Sequence, residues 1–264
     1  MSTFYNSERL KYNQMNYNND VELDNFCSQC LLVINAVGPS FKINDKIALH
    51  ALRNNCHYID IGGYGILRDL LKPYEKSIEA QKLCFIIGVG WMPGISGVFS
   101  KTIIETHLNS PENTNFNIYY GAVDNWSYSS TYDLAASSMG KTRSYVYSHG
   151  KEIQVSPFRY THHKFFPFIG HKKICMPSFD EQLTQLATSL KQIRKISTFI
   201  MLNDYISMGK FMFIKIFYKH NLNKATLMLQ DDYQRLVKKE NKWGSVICQV
   251  SKIEPERKID TFYY

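Results

Sequence analysis

Three stretches of this sequence end in residue types that can do chemistry at the edge of a sheet. LLVINAVGPSF (Leu31 to Phe41) closes on Gly38-Pro39, HYIDIGG (His57 to Gly63) places Asp60 just before Gly62-Gly63, and CFIIGVGWMPGISG (Cys84 to Gly97) carries Gly90, Pro93 and Gly94. Glycine lets the backbone come close to a ligand, and proline, with no amide hydrogen, cannot continue a strand ladder. An acid at the carboxyl end of a strand is placed for a ribose hydroxyl, a substrate amine or a helix N-terminus. The plainer alternative for Asp60 is that it satisfies nearby backbone amides. Pro93 suits the first turn of a helix whose free amides would face the same edge.

Further along, Asp124, Tyr132, Asp133 and Lys141 fall in expected loops or helix ends. Asp124 and Lys141, with His163, are the candidates for an acid or base, and capping or surface charge is the alternative role for residues so placed. His162 and His163 are adjacent, so on an extended chain they point to opposite sides, and a two-ligand metal site is not expected of them. Cys27 and Cys30 form a lone CxxC with no second pair at zinc spacing. The pair reads as the end of a helix leading into the strand at Leu31, and no metal site is expected.

The elements that must position these residues follow from pattern. The three runs are apolar at consecutive positions, as strands of a parallel sheet covered on both faces would be. Ile43 to Asn54 and Ile66 to Lys82 have the length and the i, i+3, i+4 spacing of crossover helices, and a further helix is expected from Gly94 to about His107. Ligands of such open α/β sheets bind outside the carboxyl ends of the strands, where the three glycine-bearing loops converge. Residues 1–20 read as a poorly ordered lead. NSPENTN (Asn109 to Asn115) is a turn-rich break, and the expected domains are 21–110 and 111–264.

Beyond the break the period changes to two in Asn117 to Val123 and Thr142 to Tyr147, which suits an antiparallel sheet with one covered face. Helices are expected over Ser129 to Met139 and Phe179 to Ile193, a hairpin at His149-Gly150, a strand at Ile196 to Leu202, helices from Met208 onward, and a last strand at Trp243 to Val250. Aromatic residues on most faces of Tyr205 to Tyr218 suggest burial against another domain or chain.

Bulk properties exclude several classes. A chain of 264 residues that is 44% hydrophobic can bury a core. The net charge of +8 is dispersed, with no basic run longer than two, so a nucleic-acid partner is not expected. A basic balance also suits an anionic nucleotide or carboxylate ligand. The first twenty residues hold no apolar signal core and no run of eighteen apolar residues exists, so the expected setting is reducing and cytoplasmic, with no membrane partner.

Taken together and in order, VINAVGPSF, HYIDIGG and GVGWMPGISG resemble the saccharopine dehydrogenase-like family of NAD(P)-dependent oxidoreductases. The resemblance implies an α/β fold, a partial Rossmann-like parallel sheet followed by an α+β substrate and dimerisation domain. It also implies NADP or NAD as cofactor, an amino-acid-derived small-molecule substrate and a homodimer. Residue by residue it puts Asn35, Ala36, Gly38 and Pro39 near the cofactor, with Asp60 and Gly62, and puts Gly90, Pro93 and Gly94 at the substrate. The order GAVDN, a hairpin, then FPFIGHKK and a helix is similar to the family's second domain.

The sequence also departs from the family. No GxGxxG is present, and the thirty residues before Leu31 contain no glycine. Met92 stands where the saccharopine reductases proper carry an acid, so the resemblance is to the broader family. The family pattern would place a phosphate-binding strand and helix before Leu31 and a returning helix after the last strand. The chain is therefore expected to be a shortened member or to have its sheet completed by a partner chain. Two functions follow: oxidation or reduction at a carbon-nitrogen bond with NAD(P)(H), or a non-catalytic remnant or interaction protein that has lost pyrophosphate binding.

Overall fold

The computed structural model describes residues 10–63, 65–107, 114–139, 144–178, 181–190, 193–252 and 259–263. The chain divides into two compact units. The first comprises residues 1–36 and 43–87, the second 37–42 and 88–264. The first unit thus ends before Gly88, upstream of the turn-rich break at 109–115, and the segment 37–42 leaves the first unit to belong to the second.

The first unit carries α1 (Asp20–Cys27), β1 (Leu32–Asn35), α3 (Lys46–Arg53), β2 (His57–Asp60), α4 (Gly65–Leu71), α5 (Glu75–Ala80) and β3 (Phe85–Ile87). The strands form a parallel sheet in the order β1-β2-β3, with Asn35 in register with Asp60 and Asp60 with Ile87. The expected single helix over Ile66 to Lys82 is instead α4, a 3-10 turn at Lys72–Tyr74 and α5. Pro73 interrupts it, having no amide to donate and a ring that crowds the preceding turn. Asn19 caps α1 by accepting from the Val21 and Glu22 amides, and Asp24 of α1 meets His50 Nδ1 of α3 at 2.6 Å. The core lies on one side of the sheet, where Val33, Tyr58, Phe85 and Ile87 meet Leu23, Ile47, Ala48, Ala51 and Leu67.

The expectation that both faces of this sheet are covered does not hold among the described residues. Burial alternates along β1 and β2, and Leu32, Ile34 and Ile86 on the other face stay exposed. Consecutive apolar residues report the chemistry of both faces, but cover on each face depends on what packs there.

The segment that leaves the first unit forms the short α2 (Ser40–Ile43). The second unit continues with α6 (Ile95–His107), β4 (Thr114–Val123), α7 (Tyr128–Met139), β5 (Ser144–Ser148), β6 (Lys151–Val155), α8 (Pro157–Tyr160), β7 (His162–Phe166), β8 (His171–Pro177), α9 (Glu181–Ser189), β9 (Lys195–Leu202), α10 (Tyr205–Phe217), α11 (Leu222–Val237), β10 (Trp243–Lys252) and β11 (Ile259–Tyr263). Among the described residues its eight strands run β11-β10-β4-β9-β5-β6, with the β7-β8 hairpin joined to β9 through β8. The sheet is mixed, since β4 and β9 are parallel and the other pairs antiparallel.

Both faces of the central strands are covered, not the one expected. Phe116, Ile118 and Tyr120 of β4 pack with Ile103 and Ile104 of α6 and Leu183 and Ala187 of α9. Tyr119, from the opposite face of β4, packs with Phe166, Cys175, Phe199 and Ile247. A third cluster joins Ala135 of α7, Phe211 and Ile214 of α10, and Ala225 and Leu229 of α11 to β8 and the end of β9. α10 is therefore half buried, with Phe211 and Ile214 inward and Ile216 and Phe217 exposed.

Candidate functional site

In the first unit, Asn35 and Asp60 are the last residues of neighbouring parallel strands, on the same face as Val33 and Tyr58. Alternation by two carries Tyr58 and Asp60 to one side of β2, and there they form a closed polar group. Tyr58 OH donates to Asp60 Oδ2 at 2.6 Å, and Asn35 Nδ2 donates to the same oxygen at 2.7 Å. The Gly63 amide donates to Asp60 Oδ1. A Cβ on Gly63 would sit 2.8 Å from that oxygen and 2.4 Å from a Leu67 methyl, so the glycine is required for the turn to reach the carboxylate. Burial, then the Asp60 carboxylate, push the Tyr58 phenol above its ordinary range. Asp60 itself is 3% exposed. Asp60 thus accepts from one amide and two side chains. Gly62 is half buried beside it and Ala36 is exposed just past Asn35.

Gly38 and Pro39 belong to the second unit with the start of α2. Asp133 of α7 accepts from the Ser40 amide at 2.9 Å and the Phe41 amide at 3.2 Å, supplying from a distant element the cap that α2 lacks in its own sequence. Lys42 holds its ammonium 4.5 Å from the centre of the Tyr132 ring. A Cβ on Gly38 would lie 2.9 Å from Ser129 Cβ, which is why the chain can settle on α7 here.

The loop Gly90 to Gly94 is closed on itself. The Gly90 amide donates to the Pro93 carbonyl at 3.0 Å and the Ile95 amide to the Gly90 carbonyl at 3.0 Å. Gly94 has φ +127, and a Cβ there would fall 2.1 Å from the Gly90 carbonyl oxygen. Gln182 of α9 clamps the loop: its Oε1 accepts from the Gly94 amide at 2.8 Å and its Nε2 donates to the Gly94 carbonyl at 3.4 Å. Gly97 leaves the space that the Gln182 side chain fills.

Beside this loop lies a cavity of about 50 Å³, lined by Trp91 and Met92, by Tyr120 to Ala122 at the end of β4, and by Ile200 to Asn203 at the end of β9. Trp126 and Tyr233, stacked with ring centres 4.7 Å apart, and Leu229 add apolar wall, and Asn203, Ser207 and Asp232 are polar lining. The ends of the parallel strands β4 and β9 and the proline loop thus meet at one hollow. Asp232 is paired with Arg235 Nη2 at 2.8 Å and with Lys210 at 3.4 Å. Lys173, 2% exposed, donates to Asn203 Oδ1 at 2.6 Å and pairs with Glu240 at 3.0 Å.

The candidates for acid and base fall elsewhere. Asp124 is exposed past the end of β4 and paired with Lys242 at 2.8 Å, whose hydrogen bond holds its carboxyl below the usual range. His163 is exposed on β7 and meets the Tyr205 hydroxyl at 2.9 Å, while His162 points to the other side, its ring against Tyr119 and Phe199. Neither Asp124 nor His163 lines the cavity. Lys141 lies outside the described residues. Cys27 ends α1 with its thiol pushed up to about 11 by burial, and the Cys56 thiol donates to the Cys27 and Cys30 carbonyls.

Sequence reasoning passed over Tyr58, Gln182, Asn203 and Asp232. Tyr58 had a signal, two positions before Asp60 on one strand face. The other three are polar residues in or beside helices and strands, and only the folded chain brings them to the loop and the cavity.

No protein-family profile matches this sequence, and no curated protein matches it. Solved structures do. Saccharopine dehydrogenase (L-Glu forming) from Saccharomyces cerevisiae superimposes with a TM-score of 0.59 over 95% of this chain and 74% of its own, at 14% identity. The chain has the saccharopine dehydrogenase fold. A dehydrogenase from Clostridium difficile is a looser likeness, with a TM-score of 0.36 over 90% of this chain and 65% of its own, at 8% identity.

Among the described residues, several amides of the glycine-bearing turns are not open to a phosphate. The amides of Ser40, Phe41, Gly63, Gly90 and Gly94 all donate within the protein. A pyrophosphate is held by such amides when they are left open at a strand-to-helix turn.

Proposed function

We propose that this chain is a saccharopine dehydrogenase-like oxidoreductase acting on a carbon-nitrogen bond of an amino-acid-derived substrate. The observation that carries the reading is the fold it shares with the yeast enzyme over 95% of its length. The cavity beside the proline loop, at about 50 Å³, is too small for a whole amino-acid-derived substrate, and its polar lining is engaged, Asn203 by Lys173 and Asp232 by Arg235 and Lys210, so it carries no part of this reading. NAD(P)(H) is the hydride donor or acceptor that the family reading implies, and a homodimer belongs to the same reading. No residue of the described set is assigned as acid or base.

A second reading is favoured by the engaged amides: a non-catalytic remnant or interaction protein that keeps the fold and has lost pyrophosphate binding. Titration with NADH and NADPH separates the two, followed by quenching of tryptophan and tyrosine fluorescence and by thermal shift. Stabilisation at sub-millimolar nucleotide is the outcome expected of the oxidoreductase. No effect of either nucleotide at millimolar concentration overturns that reading for this chain and leaves the second.

A further inference from the structure

The outer side of α10 is apolar and open. Ile206, Phe213, Ile216 and Phe217 recur at helical spacing opposite the buried Phe211 and Ile214, and they are 51%, 39%, 64% and 66% exposed. Gly209 lies in the same stripe, and a Cβ there would meet nothing within 4 Å. The aromatic part is already assembled, with the Phe213 and Phe217 rings 4.5 Å apart and Tyr218 edge-on to Phe213 at 5.4 Å.

The turn that follows this stripe is basic. Between Asp204 and Asp231 the sequence has no acidic residue and carries Lys210, Lys215, Lys219 and Lys224 with His220. Lys210 is spent on Asp231 at 2.7 Å, but Lys219, His220 and Lys224, in the turn between the helices and the first turn of α11, are exposed.

We propose that the exposed stripe of α10, with the basic turn that follows it, docks on an anionic phospholipid surface. Aromatic and aliphatic side chains on one face of a helix, rimmed by lysine, have the composition of helices that lie in the plane of a lipid interface. Lysines beside such a face are drawn to acidic headgroups. Among the described residues no helix is long and apolar enough to cross a membrane. An in-plane helix needs no such length, so docking is compatible with the lack of a spanning run. A second copy of the chain suits the stripe less well, because a self-complementary pairing would bring this cationic rim against itself.

The test is co-sedimentation of the full chain with vesicles of phosphatidylcholine alone and with phosphatidylserine added, the anionic lipid that draws basic segments. Binding is expected to be at least about tenfold stronger with phosphatidylserine and to fall as salt is raised. Ile216→Ser with Phe217→Ser, and separately Lys219→Glu with Lys224→Glu, are each expected to reduce it about tenfold while leaving the thermal melt unchanged, since all four side chains are exposed. Wild-type protein that stays in the supernatant overturns the proposal, as does equal binding to both vesicles or equal binding by the variants. A dimer in sedimentation velocity that Ile216→Ser with Phe217→Ser dissociates would assign the stripe to a second copy and overturns it also.

Discussion

Asp60 and Asp204 are both carboxylates at the ends of strands or starts of helices, and their partners give them different duties. Asp60 accepts only from uncharged donors, and its contacts hold the Gly63 turn and the Tyr58 and Asn35 side chains together. Asp204 caps α10 through the Ser207 amide at 2.8 Å and receives Arg235 in a two-pronged pair at 2.7 and 2.9 Å. Burial alone would raise its pKa, but the Arg235 and Ser207 hydrogen bonds outweigh burial and hold it at about 2, against an ordinary value of 3.8. A depressed folded-state pKa means stability that is present above 3.8 and is lost as pH falls toward about 2. Asp204→Asn keeps a capping side chain and loses the charge, so it is expected to cost about 1 kcal/mol at neutral pH, a figure discounted for partial exposure. The gap between variant and parent is expected to close across that acid window, read by urea unfolding at stepped pH.

At the scale of elements, the first sheet shows how one run of apolar residues can hide two environments. LLVIN looks uniform, yet in β1 Val33 is 5% exposed inside the core with Tyr58 and Ala48, while Ile34 is 61% exposed. Val33→Ala is expected to destabilise the protein by about 2 kcal/mol through lost burial and the void it leaves. Ile34→Thr, which keeps a β-branched side chain, is expected to stay within about 0.5 kcal/mol of the parent. Denaturant midpoints of the two variants check the asymmetry, and equal costs would mean that the outer face is covered in solution. Helix ends follow a similar logic. Pro73 announces in the sequence the break between α4 and α5, whereas the cap of α2 comes from Asp133, some ninety positions away, and no local pattern announces it.

At the scale of the molecule, the two units have separate cores: Val33, Ile47 and Tyr58 in one, Phe116, Ile118 and Leu183 in the other. Substitutions that share no packing partner add. Val33→Ala combined with Ile118→Val is therefore expected to cost the sum of the two single changes to within about 0.5 kcal/mol, measured by urea unfolding of both singles and the double. A clear departure from the sum would show that the cores are coupled. The family resemblance and the α/β class were legible in the sequence because strand, glycine turn and helix are local events, dictated by apolar runs and by residues that end them. The strands at Leu32, His57 and Phe85 are of this kind, whereas the register that sets Asn35 beside Asp60 pairs positions on separate strands and is decided by the fold. What only the tertiary structure decided is which partners those residues meet. The GPSF segment joins the second unit through Asp133, Gln182 closes the proline loop, and Asn203 and Asp232 reach the cavity that Trp91 lines. Those contacts join positions far apart in the chain, and long-range packing, unlike a turn, is not encoded in any short stretch.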